Sequence, residues 1–69
     1  MDLKTYWDEL DADGRRRWAK RAKTNIAYLS QIVYGHRRAS PEMAKLLHKA
    51  SDSAVPLEKL RPDIWAGAA

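Results

Sequence analysis

Apolar residues recur at spacings of three and four along most of the chain, and this pattern predicts helices. A first helix, with Asp2 at its start, is predicted from four apolar residues on one face: Leu3, Tyr6, Trp7 and Leu10. A turn follows at residues 11–14, and Asp13 is expected to cap a second helix from about Arg15 to Ala22. No segment alternates apolar and polar residues long enough to predict a strand, so we expect an all-α chain.

The third helix is predicted from its two ends. Asn25 is expected to be its N-cap, after a tight turn at residues 23–25, and the helix is expected to reach Tyr34. Gly35 ends it, because glycine tolerates positive φ. The buried side of this helix is expected to consist of three apolar residues: Leu29, Ile32 and Val33.

A fourth helix is predicted to begin at residues 40–41 and to run to about Ala50, since a serine followed by proline is typical of a helix start. Residues 56–60 can form only a short fifth helix. Large apolar residues spread along the chain are expected to share one core: Trp7, Trp18, Leu29, Ile32, Leu47, Leu60 and Trp65. These elements predict a compact five-helix bundle.

The whole chain, residues 1–69, is too short for more than one domain. Ile64 and Trp65 are expected to pack back on the bundle or into a second copy, because the segment that contains them is too apolar for a free end. Residues 66–69 are expected to form a loose tail.

Charge is distributed unevenly along a chain whose formal net charge is +4. Residues 1–14 contain one base and five acids, whereas residues 15–38, the basic segment, contain eight bases and no acid. Residues 39–69 are balanced, with four bases and four acids. Many basic clusters are only a solvated surface, but an acid-free stretch of this length in a chain otherwise rich in acids favours attraction to phosphate.

The second and third helices have the spacing of a helix-turn-helix, over about residues 15–34. This motif needs a large apolar residue, a small residue where the backbones approach, and apolar residues that pack back from its second helix. Trp18 and Ala19 meet the first two needs, and Leu29 and Ile32 meet the third. The outward side of the third helix is then available to the major groove of DNA.

Base contacts are predicted on that outward side, from Asn25, Ile26, Ala27, Ser30 and Gln31. Gln31 can form a paired hydrogen bond with adenine. Asn25 has the same chemistry, although a plain N-cap explains it equally well. Ile26 and Ala27 either touch thymine methyl groups or are ordinary helix residues.

Phosphate contacts are predicted from the basic segment and two tyrosines within it: Arg15, Arg16, Lys23, Thr24, Tyr28, Tyr34, Arg37 and Arg38. Positive charges at the start of a helix interact unfavourably with the helix dipole, so a purely structural role explains the arginines at residues 15–17 poorly. Arg37 and Arg38 follow the third helix, where such a fold runs beside the sugar-phosphate backbone. Tyr28 and Tyr34 either donate to phosphate through their hydroxyls or cover the edge of the core.

Three segments resemble a known family, the Cro-like repressors of prophage regulatory regions, also called YdaS-like proteins or YdaS antitoxins. The segments are Ala27–Ile32, Gly35–Ala44 and Leu60–Trp65, and the similarity extends over residues 3–65. The resemblance implies a lambda-repressor-like domain that binds double-stranded operator DNA through its third helix and represses transcription. An antitoxin that regulates its own operon and binds a toxin protein is the alternative, with the fourth and fifth helices as the partner surface. Whether one copy or a homodimer binds the operator is left open.

The chain departs from that family pattern in three places. Lys23 stands where glycine is common, so either a non-glycine residue adopts positive φ or the turn differs. Asp52 and Ser53 replace a glycine-rich loop. Pro56 stands where a capping threonine is frequent, which would move the start of the last helix by a residue.

Composition disfavours several other functions. The chain has no cysteine, and His36 and His48 are too far apart in sequence for a metal site, so we expect neither disulfides nor metal. No arranged catalytic residues or glycine-rich phosphate loop occur, so we expect no enzyme and no cofactor. Without a signal peptide or membrane-spanning run, we expect a cytoplasmic, nucleoid-associated protein of bacterial or prophage origin. A basic amphipathic protein on anionic membranes, suggested by residues 15–23, is the alternative from another class.

Overall fold

Six helices account for most of residues 1–65, which are the residues that the computed structural model describes. In chain order they are α1 (Leu3–Glu9), α2 (Ala12–Arg21), α3 (Ile26–Val33), α4 (Pro41–Ala50), α5 (Leu57–Leu60) and α6 (Pro62–Trp65). No strand occurs in this part of the chain, so the all-α prediction is confirmed. The count of five helices is wrong, because Pro62 suits a first helical position and begins a further helical turn. The loose tail expected at residues 66–69 lies outside the described residues.

Four helices begin at a polar side chain that accepts a hydrogen bond from a backbone N–H of the first turn. These N-caps are Asp2, Asp11, Asn25 and Ser40, with distances of 2.7–3.1 Å. Each satisfies a donor that has no partner within the helix. Asn25 and Ser40 were predicted as caps, and that prediction is confirmed. The predicted cap of α2 is wrong: Asp11, rather than Asp13, accepts from the N–H of Gly14, and α2 therefore begins at Ala12 instead of Arg15.

Gly14 lies inside α2 and is buried, so its assignment to a turn is wrong. A Cβ built on Gly14 would lie 3.2 Å from side-chain atoms of both Leu10 and Asp11. The glycine is therefore explained by close approach rather than by positive φ. It lets the end of α1 pack tightly against the first turn of α2.

Three helices end with a residue at positive φ just beyond the C-cap. These residues are Lys23 (φ 61°), Gly35 (φ 82°) and Asp52 (φ 55°), the last followed by Ser53 (φ 66°). At the end of α2, the N–H of Thr24 donates to the carbonyl of Ala19 at 2.9 Å, as in a Schellman motif. Gly35 takes this conformation freely, whereas a non-glycine residue such as Lys23 does so at a cost of about 1–2 kcal/mol. Of the two alternatives for Lys23, the structure shows positive φ.

The core is formed by buried residues from α1 to α5 and the loops between them: Trp7, Trp18, Ala19, Ala22, Leu29, Ile32, Ala39, Ala44, Leu47, Ala50, Val55 and Leu60. α3 packs against α1 and α2, while α4 packs against α2 and α5. The predicted core is confirmed except at Trp65, which is half-buried at its edge. Trp65 thus packs against the bundle as expected, whereas Ile64 is 40% exposed in the single chain, and its packing into a second copy stays a prediction.

Replacing Lys23 with Gly is expected to stabilise the protein by about 0.5–1 kcal/mol, because relief of the left-handed strain exceeds the entropy that glycine adds to the unfolded chain. Thermal unfolding measures this as a rise in melting temperature. Lys23→Ala is the matched control, since it removes the same side chain but keeps a Cβ at positive φ. An equal rise for Ala and Gly would show that the lysine side chain, not the backbone, is responsible.

Candidate nucleic-acid interface

The α3 outward face consists of the residues predicted for base contact: Asn25, Ile26, Ala27, Ser30 and Gln31. All are exposed except Ser30, which is half-buried, and the opposite side of α3 carries the buried Leu29 and Ile32. Ile26 keeps 37% of its surface in solvent. The side-chain carbonyl of Asn25 accepts from the N–H of Tyr28 at 2.8 Å, so its N-cap role is fulfilled. The periodicity of α3 thus brings the predicted residues to one side of the molecule.

Gln31 is connected to Arg37, in the loop after α3, and through it to Tyr28. The Nε of Arg37 donates to the Oε1 of Gln31 at 2.6 Å. The guanidinium carbon of Arg37 also lies 5.6 Å from the centre of the Tyr28 ring, within cation–π range. The backbone N–H groups of His36 and Arg37 both donate to the carbonyl of Gln31, at 2.8 and 3.1 Å. The loop is therefore anchored on the same residue that its arginine contacts.

Tyr34 stands at the C-terminal end of α3, 52% exposed and packed edge-on against Trp7. The Lys4 ammonium lies 5.3 Å from the centre of the Tyr34 ring. A hydrogen bond to Asp8 at 2.8 Å raises the pKa of Lys4. Lys4, with Asp8 as its ion-pair partner, thus stands beside the end of α3, which was not expected from the sequence. No local signal reveals it, because α1 and the end of α3 meet only in the folded chain.

Arg15 and Arg16 lie in the second turn of α2 rather than at its start, since the helix begins at Ala12, and both have partners outside α3. Arg15 is half-buried; its Nε donates to the carbonyl of Trp7 at 3.1 Å, and its guanidinium lies 4.5 Å from the centre of the Trp7 ring. Arg16 forms an ion pair with Asp13 at 2.8 Å. Arg15 thus has a structural role, satisfying a carbonyl near the end of α1, that the helix-dipole argument did not foresee.

Lys23 lies on the α4 side of α2 and not on the α3 outward face. It lines a pocket of about 290 Å³ together with Arg21, Leu46, Lys49 and Ala50. Thr24, next to it, is half-buried, and its backbone N–H donates to the carbonyl of Ala19 at the end of α2. Of the predicted phosphate contacts, Tyr28 lies in α3 and Tyr34 and Arg37 follow it, whereas Lys23 is directed elsewhere.

Arg38 is 71% exposed, and one of its nitrogens lies 3.6 Å from the carboxylate of Asp63. That carboxylate is held more closely by Arg61, in two hydrogen bonds of 2.9 and 2.7 Å. Hydrogen bonding from Arg61 lowers the pKa of Asp63 to about 2. Arg61 also donates to the carbonyl of Ala39 at 2.8 Å and so ties the loop after α3 to the junction of α5 and α6. This structural role of Arg61 was not expected from the sequence, although the opposite charges of Arg61 and Asp63 on either side of Pro62 indicate an ion pair.

The Arg61–Asp63 pair is expected to stabilise the fold only while Asp63 is ionised. Because folding lowers the pKa of Asp63 from 3.8 to about 2, its contribution is present above pH 4 and is lost as the pH falls toward 2. The difference in melting temperature between the natural protein and Asp63→Asn should therefore shrink across this window. A difference that stays constant from pH 7 to pH 2 would contradict the assigned pair.

Ion pairs of the basic segment draw on acids from outside it. Arg16, Arg21 and Arg38 each lie within 4 Å of a carboxylate, from Asp13, Asp52 and Asp63 respectively. All three pairs are largely exposed, so each contributes little to stability. These acids thus compensate part of the positive charge of the basic segment.

Residues 1–65 were also compared with the requirements of a metal site and of a membrane-spanning helix. In that range no group of three or more histidine, cysteine, aspartate or glutamate side chains is arranged to hold a metal ion. None of its helices has the length and apolar character needed to cross a membrane.

Fold and surface together define a small all-α protein that exposes one face of α3, a helix that lies within the basic segment. The chain is 32% identical to a prophage transcriptional regulatory protein of Escherichia coli (strain K12) over 63 residues, which cover 91% of this chain and 96% of the relative. It therefore belongs to the family of that prophage regulator. No family model matches the chain.

Proposed function

We propose that this protein is a sequence-specific, double-stranded DNA-binding transcriptional regulator of the Cro-like, YdaS-like type, which reads an operator by inserting α3 into the major groove. The observation that carries the proposal is the α3 outward face. The amides of Asn25 and Gln31 and two apolar side chains stay exposed there, beside the half-buried Ser30, on a helix whose other side is buried. These are the side chains that read base edges and thymine methyl groups. The transcriptional role named for the relative supports the same function.

In this proposal α2 and α3 form a helix-turn-helix within a single domain. α2 packs against α3, and its residues Trp18, Ala19 and Ala22 are buried between the helices of the core. The tight turn after α2 sets the angle between α2 and α3. α3 then lies in the groove while the first helix of the motif crosses the backbone above it.

Phosphate contacts around α3 fix its position on the duplex but carry no sequence information. Tyr34 and Arg38 are the best supported of these contacts, because both are largely exposed beyond the C-terminal end of α3. Tyr28 lies in α3 itself, and Thr24 and Arg37 lie close to its two ends. Arg15, Arg16 and Lys23 are weaker candidates, since their described surroundings belong to α1, α2 and α4.

Repression follows if the bound protein occupies an operator and excludes polymerase or a rival regulator. This role places the protein in the cytoplasm, on the nucleoid, and requires no enzymatic activity or cofactor. Two copies on one operator would read half-sites about one helical turn apart.

Selection of bound duplexes from a random pool tests the proposal. We expect one enriched consensus, palindromic if two copies bind together, and an affinity that falls as salt rises. Recovery of unrelated sequences with equal affinity would show that the protein binds DNA without reading it. Retention of no duplex at low salt would overturn the proposed function altogether.

An antitoxin role is the second candidate, favoured by a groove away from the α3 outward face. The pocket beside Lys23 adjoins another of about 210 Å³ that is lined by Tyr6, Leu10 and Arg17 among others. A toxin protein seated there would leave α3 free for an operator. Co-purification of a partner that stays bound when the selected duplex is added would support this role, and displacement by the duplex would contradict it.

A membrane-surface role fits the structure poorly. The apolar stripe of α2 that suggested it is formed by Trp18, Ala19 and Ala22, each exposing 2% of its surface or less. A helix that lies on a bilayer must present such residues outward. Cosedimentation with anionic liposomes in the presence of competing DNA separates the two functions.

A further inference from the structure

The contact between Gln31 and Arg37 bears on which base is read. Both side chains are exposed, and their hydrogen bond of 2.6 Å joins the α3 outward face to the following loop. An exposed hydrogen bond contributes little to stability, because water offers similar partners to both groups. The fold therefore does not depend on this pairing, and its main effect is on the chemistry that Gln31 presents.

A glutamine side chain offers one acceptor, Oε1, and two donors on Nε2. A free glutamine pairs with adenine by accepting from the N6 amino group and donating to N7. In this structure Arg37 already donates to Oε1. What Gln31 presents outward is then mainly a pair of donors, beside a guanidinium cation.

Guanine is the base whose major-groove edge suits such a pair. It shows two acceptors, N7 and O6, where adenine shows the N7 acceptor and the N6 amino donor. Even if Oε1 used its second lone pair, the Arg37 charge would repel the partial positive charge of an amino group and attract a carbonyl. The ring of Tyr28, 5.6 Å from the guanidinium carbon, helps to keep the cation at this position.

We propose that Arg37 is a specificity-determining residue that makes Gln31 read guanine rather than adenine. This inference rests on the proposed insertion of α3 into the major groove. Arg37 acts through Gln31, and its role differs from that of its neighbour Arg38, whose nearest described acid is Asp63 and which has no such contact with Gln31.

The test is a selection from a random duplex pool with the natural protein and with Gln31→Ala, Arg37→Met, Arg37→Lys and Arg38→Met. The base position read by Gln31 is the one whose preference disappears in Gln31→Ala. We expect guanine there in the natural protein, favoured over adenine by about 5-fold or more, the lower end for a good paired contact. Arg37→Met should reverse the preference toward adenine, whereas Arg37→Lys should retain guanine because it keeps a cationic donor.

Arg38→Met is the matched control, since it removes the same charge one residue away; it should weaken all duplexes without changing the preferred base. Unchanged melting temperatures for the exposed substitutions show that folding is not the cause. Adenine at this position in the natural protein, or guanine retained in Arg37→Met, would overturn the inference while leaving sequence-specific binding intact. If Gln31→Ala changes no preference, the inference fails as well. Failure to enrich any consensus would instead mark failure of the proposed function.

Discussion

Replacing Leu29 with Ala is expected to lower the free energy of unfolding by about 2–5 kcal/mol. Leu29 is 0% exposed in α3, so truncation leaves a cavity where α3 packs against α1 and α2. Natural domains are stable by only about 5–15 kcal/mol, and one of 69 residues has a small core to draw on. Leu29→Ala should therefore remove a large share of the stability of this protein. Urea unfolding followed by circular dichroism measures the loss.

Ile26→Ala is the matched control for Leu29→Ala, because it truncates another aliphatic residue of the same helix. Ile26 is 37% exposed, so its replacement should remove little packing and cost far less than the buried substitution. Similar losses for the two variants would contradict the assignment of the inward and outward sides of α3.

Gln31→Ala is expected to weaken binding to the selected duplex by about 5- to 150-fold, the range for one good base contact. Binding to a scrambled duplex should stay nearly unchanged, because that duplex does not present the base that Gln31 contacts at the required position. The slope of log affinity against log salt should also stay unchanged, since no phosphate contact is lost. Salt titrations of both duplexes measure these quantities.

Arg38→Ala should behave in the opposite way. It should weaken both duplexes by similar factors and reduce the salt slope by about one unit, as the loss of a phosphate contact does. Lys45→Ala, which removes an exposed charge from α4, is the control for a general change in net charge. If Gln31→Ala weakens both duplexes equally, this residue does not read bases.

Local signals made α3 predictable. A cap at Asn25 and a glycine at residue 35 set its ends, and apolar residues repeating with the helical period identify the inward side. Each of these signals acts within a few residues, so sequence suffices to find them. The α3 outward face follows directly, which is why its residues could be named before the fold was known.

Interactions between distant elements were not predictable in the same way. Asp11 and Asp13 are equally good caps by residue type, and the start of α2 at the first of them goes with the close approach of Gly14 to Leu10, which residue type does not reveal. The contacts of Arg61 with Ala39 and of Lys4 with Tyr34 join segments far apart in sequence. Such pairs depend on the tertiary arrangement, which neither periodicity nor capping specifies.

Arg37 shows how side-chain pairing changes a functional assignment. From the sequence, it is one of two adjacent arginines that follow α3 and face phosphate. In the structure, its Nε donates to Gln31, a residue predicted for base contact. Charge patterning identifies a surface, but the chemistry offered by each side chain depends on its neighbours.

The central claim is that the α3 outward face contacts the major groove, and a titration of isotopically labelled protein with the selected duplex, followed by amide NMR shifts, tests it most directly. We expect the largest changes from Asn25 through Gln31 and in the loop at Arg37 and Arg38. The amides that line the groove between α2 and α4, such as Leu46 and Lys49, should change little. Large shifts confined to that groove, with the amides of α3 unmoved, would contradict the account.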